Sequence, residues 1–259
     1  MSHREVVISP NADLLAKAIA ARIITRLVDA QAAKGHASIV LTGGRLGIGA
    51  LRELDASPAR DAVDWRLVDV WWGDERFLPA GDPERNDTQA RAALLDALPL
   101  DPARIHPFAA SDGPLGNDPE AAADAYAAEL AAATVPEDHG VVPQFDVLML
   151  GVGEEGHTAS IFPESPAAYD ERPVVAVHGC PKPPPTRLSL TFSSIGAATE
   201  VWLATAGAEK AGAVALALGG AGAVAIPAAG AQGRVRTLWL LDRAAASKLP
   251  ASLVRLPVT

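Results

Sequence analysis

Short, unbroken apolar runs alternate along this chain with Ala-rich stretches that read as helices. "EVVIS" (5–9) reads as a strand, followed by a helix that Asn11 can cap and that closes near Gly35. "ASIVLTGG" (37–44) reads as a buried strand entering a glycine turn, with a short helix after it. "WRLVDVWWGDER" (65–76) predicts a strand ending in charged residues, before the helical "NDTQARAALLDAL" (86–98). In "DPEAAADAYAAELAAA" (118–133), Asp118 stands at an N-cap and Pro119 at the first helical position. Further strands are predicted at "FDVLMLGVG" (145–153), "PVVAV" (173–177), "RLSLTF" (187–192), "VWLATAG" (201–207) and "TLWLLD" (237–242). Helical stretches are expected after the last two, the second ending in "RAAASKL". Continuous Val/Ile/Leu strands interleaved with helices predict an α/β fold, a mostly parallel sheet covered on both faces. One domain over residues 1–259 is expected, with room for a small subdomain and no internal repeat.

Composition narrows the class. A chain of 259 residues that is 49% hydrophobic can bury a large core. No apolar run reaches the roughly 18 residues of a membrane span. "MSHREVVISP" lacks the apolar stretch of a signal peptide. The single cysteine, Cys180, excludes an internal disulfide and suits a reducing compartment, so a cytoplasmic location is expected. A formal charge of −9 argues against nucleic acid and anionic membranes as partners. An anionic small molecule fits only where a few cations gather locally.

In open parallel sheets, ligands collect beyond the carboxyl ends of the strands. The predicted strand ends supply Thr42-Gly43-Gly44-Arg45, Gly73-Asp74-Glu75-Arg76, Gly151 to His157, and Gly207 to Lys210. These loops can share one cleft holding backbone N–H groups, arginines, a lysine, carboxylates and a histidine. That inventory suits acid–base chemistry on a phosphorylated substrate. The Gly43-Gly44 pair can close amides on an anion at a helix start, or can simply be a tight turn needing positive φ. No G-x-x-x-x-G-K-[ST] exists, which excludes an ATP-type loop. Asp74, Glu75 and Arg76 read as a charged loop after the strand. Arg76 can grip phosphate oxygens, Asp74 can orient a group or accept a proton, and Trp71 and Trp72 read as core or cleft wall. Lys210, early in the next helix, adds a point charge.

"LMLGVGEEGHTASIFPES" (148–165) matches the dinucleotide fingerprint G-x-G-x-x-G at Gly151, Gly153 and Gly156. A genuine fingerprint opens a long helix and has an acidic residue ending the following strand. Here Pro163 and Pro166 cut any helix short, Asp170 and Glu171 precede the next strand, and Glu154 and Glu155 would repel a pyrophosphate. The glycines instead free the backbone to present His157, read here as standing at a strand-to-helix junction whose positive end keeps imidazole neutral. The other histidines, at 3, 36, 106, 139 and 178, show no metal-ligand spacing. H-E-x-x-H, C-x-x-C and the G-x-S-x-G nucleophile elbow are all missing from the sequence. General base catalysis by His157 on water is the route that the motifs leave.

"LTGG", "WWGDERFLPAGDPERN", "FDVLMLGVGEEGHTASIFPES", "KPPPTRLSLTFSSI", "TAGAEKA" and "WLLDRAAAS" occur in this order across almost the whole chain. In combination they resemble the 6-phosphogluconolactonase branch of the glucosamine-6-phosphate isomerase/6-phosphogluconolactonase family. The resemblance implies the fold shared with glucosamine-6-phosphate deaminase and ribose-5-phosphate isomerase. It implies cofactor-free hydrolysis of 6-phospho-D-glucono-1,5-lactone in the oxidative pentose phosphate pathway, by a monomer or homodimer without a metal. It further implies His157 as base, Asp74 as a supporting carboxylate, and phosphate or sugar contacts from Thr42, Gly43, Gly44, Arg76, Arg187 and Lys210, while Arg45 either replaces a missing hydroxyl contact or points to solvent. Two departures stand out. The turn usually continues with Ser or Gly where Arg45 stands, and the residue two before the histidine is usually Asp, not Glu155. The alternatives are a sugar-phosphate isomerase or deaminase, and a non-catalytic sugar-phosphate sensor. The deaminase pattern resembles G-H-I-A-F-N-E, with glutamate where Phe162 stands here. A sensor would carry a helix-turn-helix and a basic surface.

Overall fold

The computed structural model describes residues 3–138 and 140–254. They form a seven-stranded parallel sheet: β1 (His3–Ser9), β2 (Ala37–Leu41), β3 (Val68–Trp72), β5 (Ile105–His106), β6 (Val147–Gly151), β9 (Glu200–Thr205) and β10 (Arg236–Asp242). The strands lie in the order β1-β10-β9-β6-β2-β3-β5. A second, antiparallel sheet has the order β4-β8-β7, from β4 (Asp74–Arg76), β7 (Val174–Val177) and β8 (Arg187–Leu190). The principal helices are α1 (Ala12–Lys34), α2 (Gly44–Asp55), α3 (Asn86–Ala93), α4 (Pro119–Ala132) and α6 (Ala211–Leu218), with short α5 (Phe192–Ile195) and α7 (Ala251–Val254).

Local chemistry sets the element ends as the sequence predicts. The Asn11 side chain accepts from the Leu14 N–H at 2.9 Å, and Gly35 closes α1 at φ 81° with its N–H on the Gln31 carbonyl. Leu15, Ile19, Ile23 and Leu27 recur every four residues along α1 and are buried. Asp118 accepts from Ala121 N at the start of α4, with Pro119 in the first turn.

Three predictions change. "GDER" is not a loop at the end of β3, because the chain switches sheets at Gly73. Its N–H donates to Leu41 O of the large sheet at 3.0 Å, while its carbonyl accepts from Leu190 N at the end of β8 at 2.9 Å. Asp74 to Arg76 then run as β4. "PVVAV" and "RLSLTF" join that same small sheet rather than the parallel one. After β10, residues 243–248 form turns instead of a helix.

The topology locates the crevice. From β2 the chain moves outward to its neighbour β3, whereas from the adjacent β6 it moves the other way, to β9. The connections leave the carboxyl ends of β2 and β6 in opposite directions, opening a gap at that switch point. Gly43-Gly44 and the Gly151–His157 segment sit on its two sides. Among the described residues, no helix is long and apolar enough to cross a membrane.

Candidate active site

A cleft of about 200 Å³ opens at this switch point, lined by residues from three strand-end loops, from β4 and β8, and from the start of α3. Thr42, Gly43, Gly44, Asp74, Arg76, His157, Arg187 and Lys210 all face it, and so do Asn86 and Ala159. A larger chamber of about 580 Å³ continues from it past Lys210, walled by Arg45, Asp13, Glu209 and Asp242 among others. Arg45 is exposed, lines only this outer chamber, and stands away from the histidine.

The two-residue alternation of a strand sorts the β4 charges. Asp74 and Arg76 point to the cleft, and Glu75 points away from it, fully buried. Glu75 is therefore no solvated loop residue. Its carboxylate accepts from the backbone N–H groups of Arg76, Asn86 and Asp87 at 2.7–2.9 Å, anchoring the start of α3, with the Arg85 guanidinium 3.7 Å away. Burial pushes the Glu75 carboxyl up to about 7, against the pull of Arg85 and those amides. Asp74, also buried, accepts from the Ser160 hydroxyl at 2.7 Å, and its carbonyl accepts from the Asn86 amide at 2.8 Å.

Register brings two arginines together: Arg76 lies directly opposite Arg187 across the β4–β8 pair. Like charges so placed repel, and Arg76 is partly offset by Glu84, whose carbonyl and carboxylate accept from its guanidinium. Arg187 is held by the carbonyls of Lys182, Pro183 and Pro184 and lies 5.9 Å over the Phe162 ring. Lys210, in the turn preceding α6, is the third cation on the cleft. Its nearest carboxylate, on Glu154, is 3.9 Å distant. Gly43 and Gly44 present the uncapped N-terminus of the 12-residue helix α2 to the same space. A Cβ on Gly43 would fall 2.0 Å from Asn86 Oδ1, so a larger residue there displaces the Asn86 amide from Asp74. Gly44 adopts φ 80°, as the tight-turn reading of the pair requires.

The glycines of the G-x-G-x-x-G segment serve the histidine. Gly153 N donates to His157 O at 2.9 Å and Gly156 N to Gly153 O at 3.0 Å, closing a tight loop with Gly156 at φ 90°. A Cβ on Gly153 would sit 1.9 Å from His157 Nδ1. We expect Gly153→Ala to lower kcat by about 10- to 50-fold, short of the ~10²-fold that a 1 Å misplacement can reach. Unchanged circular dichroism with unchanged kcat would show that the ring does not need this contact.

The His157 ring is mostly buried, stacks on Phe162 with centroids 4.6 Å apart, and places Nδ1 3.0 Å from Glu155 Oε1. Burial is the first cause holding its pKa below the ordinary histidine value, with the Lys182 charge acting in the same direction; Glu155 and Asp74 oppose them. This corrects the helix-dipole explanation. No helix starts after His157; the chain instead makes a turn closed by a Thr158–Ile161 bridge. Glu155 in turn bonds Lys182 Nζ at 2.9 Å. Desolvation opposes ionisation of Glu155, but the Lys182 bond and the neighbouring charges prevail and hold it near about 2. An ionised carboxylate only accepts, so Nδ1 carries the imidazole proton and Nε2 is left basic.

Residue-level reasoning had not singled out Asn86, Ser160 or Lys182. Each lies inside a motif quoted above; Ser160 and Lys182 find their partners, Asp74 and Glu155, in other motifs, and Asn86 reaches back within its own motif to Asp74 and Glu75. No group of three or more His, Cys, Asp or Glu side chains among the described residues is arranged to hold a metal ion, and His139 lies outside those residues.

The family model for glucosamine-6-phosphate isomerases/6-phosphogluconolactonase matches residues 10–239. A 6-phosphogluconolactonase of Streptomyces coelicolor is 64% identical over 250 residues, covering 96% of each chain. The solved 6-phosphogluconolactonase of Trypanosoma brucei superposes with a TM-score of 0.82 at 27% identity, covering 96% of this chain and 100% of that one. A monomeric glucosamine-6-phosphate deaminase shares the fold at a TM-score of 0.76, with 20% identity and coverage of 94% and 99%. The chain therefore belongs to the glucosamine-6-phosphate isomerase/6-phosphogluconolactonase family, on the 6-phosphogluconolactonase side of it.

Proposed function

We propose that this protein hydrolyses 6-phospho-D-glucono-1,5-lactone to 6-phosphogluconate, the lactone-opening step of the oxidative pentose phosphate pathway. The observation that carries the reading is one basic imidazole facing a cleft that also holds Arg76, Arg187 and Lys210. The phosphate lies among those cations and the α2 amides, which sets the lactone carbonyl near His157. His157 Nε2 takes a proton from water as the water oxygen bonds to C1. The tetrahedral oxyanion then collapses with cleavage of the C1–ring oxygen bond, and the imidazolium returns its proton to the departing ring oxygen. Asp74, fixed by Ser160, favours the imidazolium as it forms. A δ-lactone is an activated ester, so general acid–base help of roughly 10²–10⁴-fold is enough. No step calls on a cofactor. The substrate is a small soluble metabolite of the cytoplasm, and a monomer or a homodimer would serve equally.

The isomerase or deaminase reading would require a carboxylate where Phe162 stands. That side chain is buried and stacked on His157, and so offers no ring-opening group. The test is incubation with freshly made 6-phosphogluconolactone, coupled to 6-phosphogluconate dehydrogenase. Product formation no faster than spontaneous hydrolysis would overturn the proposal.

The pH dependence follows from the neutral imidazole being the active form. kcat/KM should rise with pH through a single group with a midpoint below 6.5, then stay level above it. A midpoint above 6.5, or no loss of rate at any acid pH at which the protein stays folded, would remove His157 as the base.

A further inference from the structure

The loop "CPKPPPTR" (180–187) sits against the cleft, yet nothing so far gives its lysine a task. Lys182 Nζ donates to Glu155 Oε2 at 2.9 Å, and the other oxygen of that carboxylate, Oε1, meets His157 Nδ1 at 3.0 Å. The chain of contacts therefore runs from ammonium to carboxylate to imidazole. A glutamate has one more rotatable bond than an aspartate would have here. Left alone, its carboxylate can turn beside the ring and meet it in several orientations, and the second anchor removes that freedom. The loop is itself fixed from the far side: the carbonyls of Lys182, Pro183 and Pro184 accept from the Arg187 guanidinium.

We propose that Lys182 is a positioning residue for the base: it clamps Glu155 so that Glu155 holds His157 in the proton-on-Nδ1 form and in one orientation. This rests on His157 acting as the base in the proposed hydrolysis. Lys182 Nζ is not among the groups lining the histidine chamber, so its action passes through Glu155 rather than through substrate. The same loop carries both Lys182 and the carbonyls that hold Arg187, so it joins the base to one of the phosphate-side cations.

The charged groups around the imidazole come from several elements. Glu155 is on its own loop, Lys182 on the Pro-rich loop and Asp74 on β4, while Arg76, Arg187 and Lys210 line the rest of the cleft. Removing the Lys182 charge takes away a repulsion on the imidazolium and leaves Glu155 free to stabilise it. Both effects raise the His157 pKa, in agreement with the depressing influence of Lys182 in the intact site.

The experiment is a double-mutant cycle with Lys182→Met and Glu155→Gln, with Lys182→Arg as the conservative variant. It is read by kcat and KM on 6-phosphogluconolactone and by NMR titration of the His157 ring. Lys182→Met should lower kcat about tenfold with KM nearly unchanged, the size expected for contacting residues of one network. Lys182→Arg should restore most of it. In the Glu155→Gln background, Lys182→Met should have almost no further effect. The His157 titration should move to higher pH in Lys182→Met and stay in place in Lys182→Arg. Equal losses in both backgrounds, or a rise in KM alone, would overturn the clamp, because Lys182 would then be touching substrate. A His157 titration unmoved by Lys182→Met would overturn it too, and that readout needs no turnover. A wild-type protein without lactonase activity but with the expected titration shift would defeat the hydrolase reading while leaving the clamp standing.

Discussion

His157→Ala should lower kcat by at least about 10²-fold, with substrate binding retained, since general acid–base catalysis contributes roughly 10²–10⁴-fold. The size follows from the two steps that the ring would perform in the proposed hydrolysis, removing a proton from water and returning one to the leaving oxygen. Binding should survive because the cations on the cleft belong to β4, β8 and the turn before α6, not to the histidine loop. Loss of a ring that packs on Phe162 can disturb the loop, so His157→Gln is the companion variant. It keeps a planar polar side chain that cannot act as a base, and it should be impaired to a similar extent. Steady-state kinetics with a check on the unfolding midpoint decides the matter. Near-normal kcat in either variant would leave His157 as a packing residue only.

The second large effect concerns the phosphate. On a protein of formal charge −9, a dianion binds only where several cations converge and outweigh the surrounding negative field. Arg76 and Lys210 both line the cleft with Gly43 and Gly44, and Arg76 faces the fixed Arg187 across the strand pair. Hydrogen bonds to charged groups contribute about 1.5–3 kcal/mol each. Arg76→Ala or Lys210→Ala should therefore cost about 10- to 100-fold in kcat/KM for the phosphorylated lactone. Neither change should affect the slow hydrolysis of unphosphorylated gluconolactone. Equal losses on both substrates would mean that the side chains support the fold or the chemistry instead. Arg45, exposed on the outer chamber, should show a smaller effect than either and serves as the internal comparison.

Much of the architecture was legible because it depends on near neighbours in the chain. Asn11, Gly35, Asp118 and Pro119 act within three or four residues of themselves, so the ends of α1 and the start of α4 could be read directly. The apolar β-runs announced a parallel sheet, and the strand-end rule then brought four separated segments to one place. The G-x-G-x-x-G segment was separable from a nucleotide loop on its own prolines and glutamates. Its purpose, room for an imidazole 1.9 Å from where a Gly153 Cβ would be, is a steric fact visible only in three dimensions.

What the tertiary structure alone decided are contacts between segments far apart in sequence. Gly73 divides its two backbone bonds between two sheets, and this turned an apparent charged loop into β4 and buried Glu75 among backbone amides. The Arg76–Arg187 pairing depends on antiparallel register across more than a hundred residues, and Lys182 reaches Glu155 only because β7 and β8 fold back on β4. The neutral state of His157 was anticipated, but its cause was not: burial, rather than a helix end, disfavours the charge. Helix caps and apolar periods are local energies that a few consecutive residues determine. Register, burial and charge pairing depend on which distant segment arrives as neighbour, and only the folded chain supplies that neighbour.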